Sequence, residues 1–173
     1  MPPPARLAAV QLVVFDVDGV LTDGRLLYGE DGVSAHSFNV RDGFAVVRAA
    51  QAGLTLAIIS GRKSPSVARR LRELRIPHVY QAVRDKAPLL LELCNTLAIA
   101  PAAAAFCGDD LNDIPAMRAV GLATCVKDAE PGVVDAVTAM GGWVLDRRGG
   151  HGAARQLLEA ILTAQGHWAP EGA

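Results

Sequence analysis

Three short apolar runs, QLVVFDVDG, LTLAIISG and AAAAFCGDD, each end in aspartate or serine beside glycine, and a segment of helical spacing follows each, after an intervening hairpin in the first case. Valine- and isoleucine-rich runs of this length suit strands covered on both faces. Strands alternating with helices imply βαβ units, hence an α/β fold with a Rossmann-like parallel sheet flanked by helices. In such sheets ligands bind beyond the carboxyl ends of the strands. Asp16, Ser60 and Asp109 stand at those ends, so three distant segments deliver polar groups to one sheet edge.

The remaining segments fit around this frame. RLLYGEDGVSAHSF, about residues 25–38, reads as a protruding β-hairpin turning at GEDG. DGFAVVRAAQAG has helical spacing with Gly53 as its stop, and a second helix is expected from about Ser64 to Arg75. Arg69, Arg70, Arg72 and Arg75 make a basic face there, read as solvated. IPHVYQAV, GLATCV and GWVLD are further short strands. KAPLLLELCNTLAI and HGAARQLLEAILTAQG are helices, the latter opening a C-terminal region of about 151–173.

A chain of 173 residues suits one domain spanning 1–173. Apolar residues make up 51% and the net charge is −1, which argues against disorder and against a nucleic-acid surface. Three cysteines without CxxC spacing fit buried thiols of a reducing compartment better than zinc or disulfides. MPPPARLAAVQL makes no convincing signal peptide and no run approaches a membrane span, so the expectation is a cytoplasmic protein with no membrane partner.

The carboxylates carry the chemistry. Asp16 and Asp18 follow a buried strand two residues apart, and close carboxylates repel unless a cation holds them or one keeps its proton. GDDLND adds Asp109, Asp110 and Asp113 after another strand. Oxygen ligands from two loops suit a hard cation, and magnesium needs few protein ligands. An EF-hand is excluded because its ligand ladder is missing. Ser60 and Gly61 precede a helix, where a hydroxyl and backbone N–H groups can take phosphate oxygens. Lys86 opens a helix, where a cation opposes the helix dipole and an anion is expected nearby. Plainer readings exist for each: Asp-Gly and Ser-Gly turns, a surface lysine, and Asp113 as a helix cap. Together the set fits phosphoryl transfer with an aspartate nucleophile, and no GxxxxGK[ST] loop points to a nucleotide.

DVDGVLTDG, ISGR, DK and GDDLND, in this order, resemble the four motifs of the haloacid dehalogenase superfamily of aspartate-based phosphatases. The resemblance implies that Asp16 attacks phosphorus, while Asp18 protonates the leaving alcohol and later activates water. It implies a magnesium ion held by Asp16, Asp109 and the backbone carbonyl of Asp18, with Asp110 and Asp113 supporting it from behind. Ser60, Gly61 and Lys86 would bind the phosphoryl group. Only 44 positions separate Asp16 from Ser60 and 23 separate Lys86 from Asp109, which leaves no room for a cap domain.

DGVLTDGRLLYGEDG, FNVRDGFAVVRAAQAGL, ISGRKSPSVARR and GGHGAARQLLEAILTAQG are similar to the capless sugar-acid phosphatases of that superfamily. That group implies a small acidic sugar phosphate as substrate, an eight-carbon acid of lipopolysaccharide sugar biosynthesis or a nine-carbon relative of the sialic-acid or KDN type. A non-catalytic partner domain is the other alternative. It also implies a homo-oligomer, a tetramer in which neighbouring subunits complete each site. Arg41, Asp42, Arg62 and Arg155 are the implied substrate contacts. Ala82 stands where the group has glycine, Gln156 where it has glutamate, and His151 lies within the glycine segment.

Overall fold

A computed structural model of the chain describes residues 1–30 and 34–168. Its centre is LVVF, strand β1 (Leu12–Phe15), every residue of which is buried. After β1 come a two-stranded antiparallel ribbon, β2 (Leu27–Tyr28) with β3 (Ser34–Ala35), and helix α2 (Val40–Gln51). Leu27 pairs with Ala35 and Tyr28 with Ser34, and Asp31 and Gly32 of the expected GEDG turn lie outside the described residues. β4 (Thr55–Ile59), α3 (Pro65–Glu73), β5 (His78–Tyr80), α4 (Lys86–Thr96) and β6 (Ala104–Gly108) follow. α5 (Ile114–Arg118), β7 (Leu122–Cys125), α6 (Pro131–Ala139), β8 (Trp143–Val144) and α7 (Ala153–Ala164) complete the order.

Six strands form one parallel sheet in the order β5-β4-β1-β6-β7-β8. The strand order reverses at β1, whose neighbours are β4 and β6, and such a reversal opens a crevice at the carboxyl ends. Among the described residues only the β2–β3 ribbon and α2 lie between β1 and β4. β6 is built largely from small residues and is wholly buried. Its weak strand propensity is overridden by pairing with β1 and β7 on both sides. The three cysteines are free and buried.

Two helices escape the sequence reading, an N-terminal α1 (Pro4–Ala8) and α6. Both start with proline in the first turn, where its missing N–H costs nothing. Arg6 of α1 donates to the carbonyls of Gly121 and Gly141 and so ties the N-terminus to the β7–β8 edge.

The glycine segment before α7 has a definite task. Gly149 and Gly150 lie against the loop after β1, so closely that a side chain on Gly149 would strike the carbonyl of Gly19. Gly150 N–H also donates to Val20 O (2.9 Å). α7 begins at Gly152, which has no side chain to cap it. Asp42 of α2 caps it instead: Oδ1 accepts from Arg155 N–H (2.7 Å) and Oδ2 from Gly152 N–H (3.2 Å). Asp42 is 3% exposed, and burial pushes its carboxyl up while the two amides oppose that shift. Asp42→Ala should therefore cost about 1–2 kcal/mol, the value of a lost helix cap. At this chain length that lowers the melting temperature by about 2–8 °C in a calorimetric scan, with Asp42→Asn losing less.

Candidate active site

The site grows from the polar residues that end β1, β4 and β6. Asp16 leaves β1 with 7% exposure, and its carboxylate meets the ammonium of Lys86 at 2.8 Å. Lys86, in the first turn of α4, is 1% exposed and reaches Asp113 Oδ1 at 2.6 Å as well. Burial alone would lower the lysine pKa, but the two carboxylates outweigh burial and raise it. A charge this deep is tolerable only when paired and hydrogen-bonded.

Asp113 has no oxygen to spare. Its Oδ1 takes Lys86, and its Oδ2 accepts from the backbone N–H of Asp109 (3.1 Å) and Asp110 (3.3 Å). Asp110 Oδ1 accepts from Leu111 N–H (2.6 Å), and the side chains of Asp110 and Asp113 each accept from the other's backbone N–H, a capping box around the short 3-10 turn Leu111–Asp113. Asp113 therefore both caps the turn and anchors Lys86.

Asp109 points the other way. Gly19 takes a left-handed backbone at φ +83°, and a side chain there would collide with the Asp109 carboxylate. The glycine after Asp18 thus lets the first loop lie against the third strand end. Asp109 Oδ1 is buried without a hydrogen-bond partner among the described residues. Burial first, then repulsion from Asp16, Asp113 and Asp110, pushes its carboxyl up to about 8. Burial likewise raises Asp16 to about 6, against the pull of Lys86. One oxygen each of Asp16, Asp109 and Asp113 lie within 4.8 Å of one another. An orphaned buried oxygen among crowded hard-oxygen donors fits a divalent cation.

Asp18 sits at the rim. Its Oδ2 lies 3.6 Å from Arg62 Nε, and Arg62 is itself bonded to the Tyr28 hydroxyl of β2 (3.4 Å). Its Oδ1 lies 3.3 Å from His36 Nε2. Ser60 Oγ accepts from Arg62 N–H (3.3 Å), which curls the ISGR turn toward the cleft.

Asp16, Asp18, Ser60, Gly61, Lys86, Asp109 and Asp110 border one cleft of about 290 Å³, joined by Arg62, Gly24 and Asn112. Of the four expected substrate contacts, the chain brings Arg62 alone to it. Arg41 is exposed on α2, and Asp42 serves α7. Arg155 pairs with Glu159 (3.0 Å), lies over Phe44 and Trp168, and borders a different groove of about 740 Å³. None of Arg69, Arg70, Arg72 and Arg75 borders the cleft, and Arg69 and Arg70 pair with Glu73. His36 was not legible in the sequence, since no motif marks it, while Tyr28 and Asn112 lie within quoted stretches that gave them no role.

The three departures have local explanations. Ala82 adopts φ +61°, a left-handed conformation that suits glycine. Its neighbour Val83 N–H donates to Ser60 O (3.0 Å), so the loop keeps its place at the cost of strain. Gln156 accepts from the N–H groups of Asp146 and Arg147 and donates to Asp146 Oδ2 (2.7 Å), a donation that glutamate could not make. His151 Nδ1 donates to Gly149 O (2.7 Å) and so steadies the glycine segment.

Comparison with known proteins agrees with this geometry. Residues 78–147 match the haloacid dehalogenase-like hydrolase family. The chain is 40% identical over 162 residues to the 3-deoxy-D-manno-octulosonate 8-phosphate phosphatase of Escherichia coli, covering 94% of this chain and 84% of that one. The crystal structure of 3-deoxy-D-manno-octulosonate 8-phosphate phosphatase from Yersinia pestis superposes with TM-score 0.90 at 37% identity, over 95% of this chain and 87% of that one. A Moraxella catarrhalis phosphatase of the same name, in complex with a magnesium ion, a phosphate ion and KDO, gives TM-score 0.89 at 35% identity, over 95% and 92%.

Two measurements follow. A cation must displace the proton held at the Asp109–Asp16 pair, so magnesium affinity, titrated calorimetrically, should rise with pH through about 6 to 8 and level off above. Without metal, the raised carboxyl at Asp109 binds a proton in the folded chain that the unfolded chain has already lost above its ordinary value of 3.8. Its penalty is therefore absent below that value and complete above about 8. Asp109→Asn should melt at or above the wild-type temperature at high pH without metal, and should lose the magnesium-induced rise.

Proposed function

The chain belongs to the haloacid dehalogenase-like hydrolases of the 3-deoxy-D-manno-octulosonate 8-phosphate phosphatase type, and we propose from its site that it hydrolyses that sugar phosphate to the free sugar acid and phosphate. The observation that carries the reading is the cleft in which a buried lysine, a buried aspartate and a second strand-end aspartate face one another.

Asp16 is the nucleophile. Lys86 holds one of its oxygens at the cleft. As a bond forms from the Asp16 carboxylate to phosphorus, the ester oxygen departs with its electron pair and takes a proton from Asp18. Asp18, now a carboxylate, removes a proton from water, and that water breaks the acyl phosphate to release inorganic phosphate and restore Asp16. Ser60 and the backbone at Gly61 receive phosphoryl oxygens, and Lys86 offsets their charge. Asp16, Asp109 and the Asp18 carbonyl would hold magnesium, which supplies the positive charge that lets the carboxylates stay ionised beside a phosphate. Arg62 suits the carboxylate of the sugar acid, because a planar guanidinium can bind it bidentately.

A cleft this open selects small substrates poorly by itself. Leu27 and Tyr28 on the ribbon and Val40, Phe44 and Val47 on α2 are exposed, which supports assembly of several copies, a tetramer by the resemblance. Among the described residues no helix is long and apolar enough to cross a membrane. The buried free thiols support a cytoplasmic setting.

Phosphate release should be measured on 3-deoxy-D-manno-octulosonate 8-phosphate and on nine-carbon acid sugar phosphates, with and without magnesium. Turnover is expected to be highest on the eight-carbon ester and to need the metal. Asp16→Asn should fall to the detection limit, and Asp18→Asn should lose ~10²–10⁴-fold. Activity that survives Asp16→Asn, or none on any acid sugar phosphate, overturns the reading.

A further inference from the structure

His36 is a buried histidine that no motif announces, and it faces the residue to which the mechanism gives the proton transfers. Its side chain is 0% exposed. Nε2 stands 3.3 Å from Asp18 Oδ1, and neither of these two buried atoms has a hydrogen-bond partner among the described residues. Buried polar atoms left unpartnered are costly, so two that face each other at this distance mark an interaction that a small closing movement completes.

The other side of the ring is fixed. Nδ1 lies 2.8 Å from Ser66 Oγ, which lies 3.0 Å from Ser64 Oγ, the cap of α3. Ser64 Oγ accepts from Val67 N–H, so its own hydroxyl proton is free to turn to Ser66. Ser66 can then donate to Nδ1. With donation running from the α3 amide through two hydroxyls to the ring, the ring proton stands on Nε2 facing Asp18, and this is the tautomer the inference uses.

We propose that His36 is a positioning residue for Asp18: Nε2–H holds Oδ1, so that Oδ2 faces the departing oxygen and then the attacking water. His36 neither gains nor loses a proton in this role. The alternative holder, Arg62, is 3.6 Å from Oδ2, and its side chain is 45% exposed. A contact of that kind is weak, and a substrate carboxylate that recruits Arg62 would take it away from Asp18. His36, buried and tied to α3, stays. The histidine lies just beyond β3, so the ribbon that stands where a cap could have been also supports the proton-transfer residue.

The inference rests on the phosphatase reading and is tested by a ratio. His36→Leu, His36→Gln and Ser66→Ala are compared with wild type, in kcat and KM with saturating magnesium, on the sugar phosphate and on p-nitrophenyl phosphate. The second ester has a good leaving group and needs little protonation, so a misplaced Asp18 harms it less. His36→Leu should lower kcat on the sugar phosphate by about 10–100-fold with KM within about twofold. That loss should exceed the loss on p-nitrophenyl phosphate by about tenfold. His36→Gln places a donor near the Nε2 position and should recover most of the rate, and Ser66→Ala should show a smaller loss with the same bias between substrates. Equal losses on the two esters, a rise in KM alone, or glutamine no better than leucine overturns the inference. If His36→Leu fails to fold, the glutamine and Ser66→Ala variants decide it by the same ratio. Wild type that fails on the sugar phosphate refutes the substrate reading instead, and the ratio is then read on any alkyl phosphomonoester that it hydrolyses.

Discussion

A lysine ammonium at 1% exposure is the constraint around which this molecule is arranged. Lys86 must be neutralised, and Asp16 at 2.8 Å and Asp113 at 2.6 Å do so from two different strand ends. Those contacts require the termini of β1 and β6 to lie beside the start of α4, which adjacent parallel strands bring about. Removing one partner of such a buried group costs about 3–5 kcal/mol, because the others are left uncompensated. The same contacts aim Asp16 at the cleft. Catalytic geometry and structural integrity thus share one set of charges.

The site holds an excess of negative charge that Lys86 does not satisfy. Asp109 keeps one buried oxygen unpartnered and carries a carboxyl pushed up to about 8. A folded protein that leaves carboxylates in that state has arranged them for a cation rather than for its own stability. Asp113 shows the contrast. Crowded by the same neighbours, it is satisfied on both oxygens and works as a brace. Residues of one type in one short motif, GDDLND, thereby divide into an unpartnered carboxylate, a rim residue and a brace according to what each oxygen meets.

Support for the cleft comes from distant parts of the chain. Gly149 and Gly150 fit against the loop that presents Asp18, and Asp42 caps the helix that follows them. Within one chain the VRDG and GGHGAAR segments meet each other through Asp42. Arg155 leaves its backbone N–H in that cap and sends its guanidinium to Glu159, Phe44 and Trp168. Motif matching transfers a residue's presence well, but a side chain's destination depends on what packs around it.

The sequence by itself determined a parallel sheet and the chemistry at its edge, while the strand order came from the structure. Apolar runs ending in Asp-x-Asp-Gly, Ser-Gly and Gly-Asp-Asp report both the strands and the polar groups at their ends, because period and burial are local properties. Those properties pointed to Asp16, Ser60 and Asp109, and Lys86 stood out instead as a cation opening a helix. They could not reveal α1 and α6, short helices that packing against the sheet stabilises more than propensity does. Nor could they show that Asp42 caps α7 or that Arg155 pairs with Glu159. His36 was invisible for the same reason: its meaning is a distance of 3.3 Å to Asp18, across a ribbon and a loop that only tertiary packing brings together.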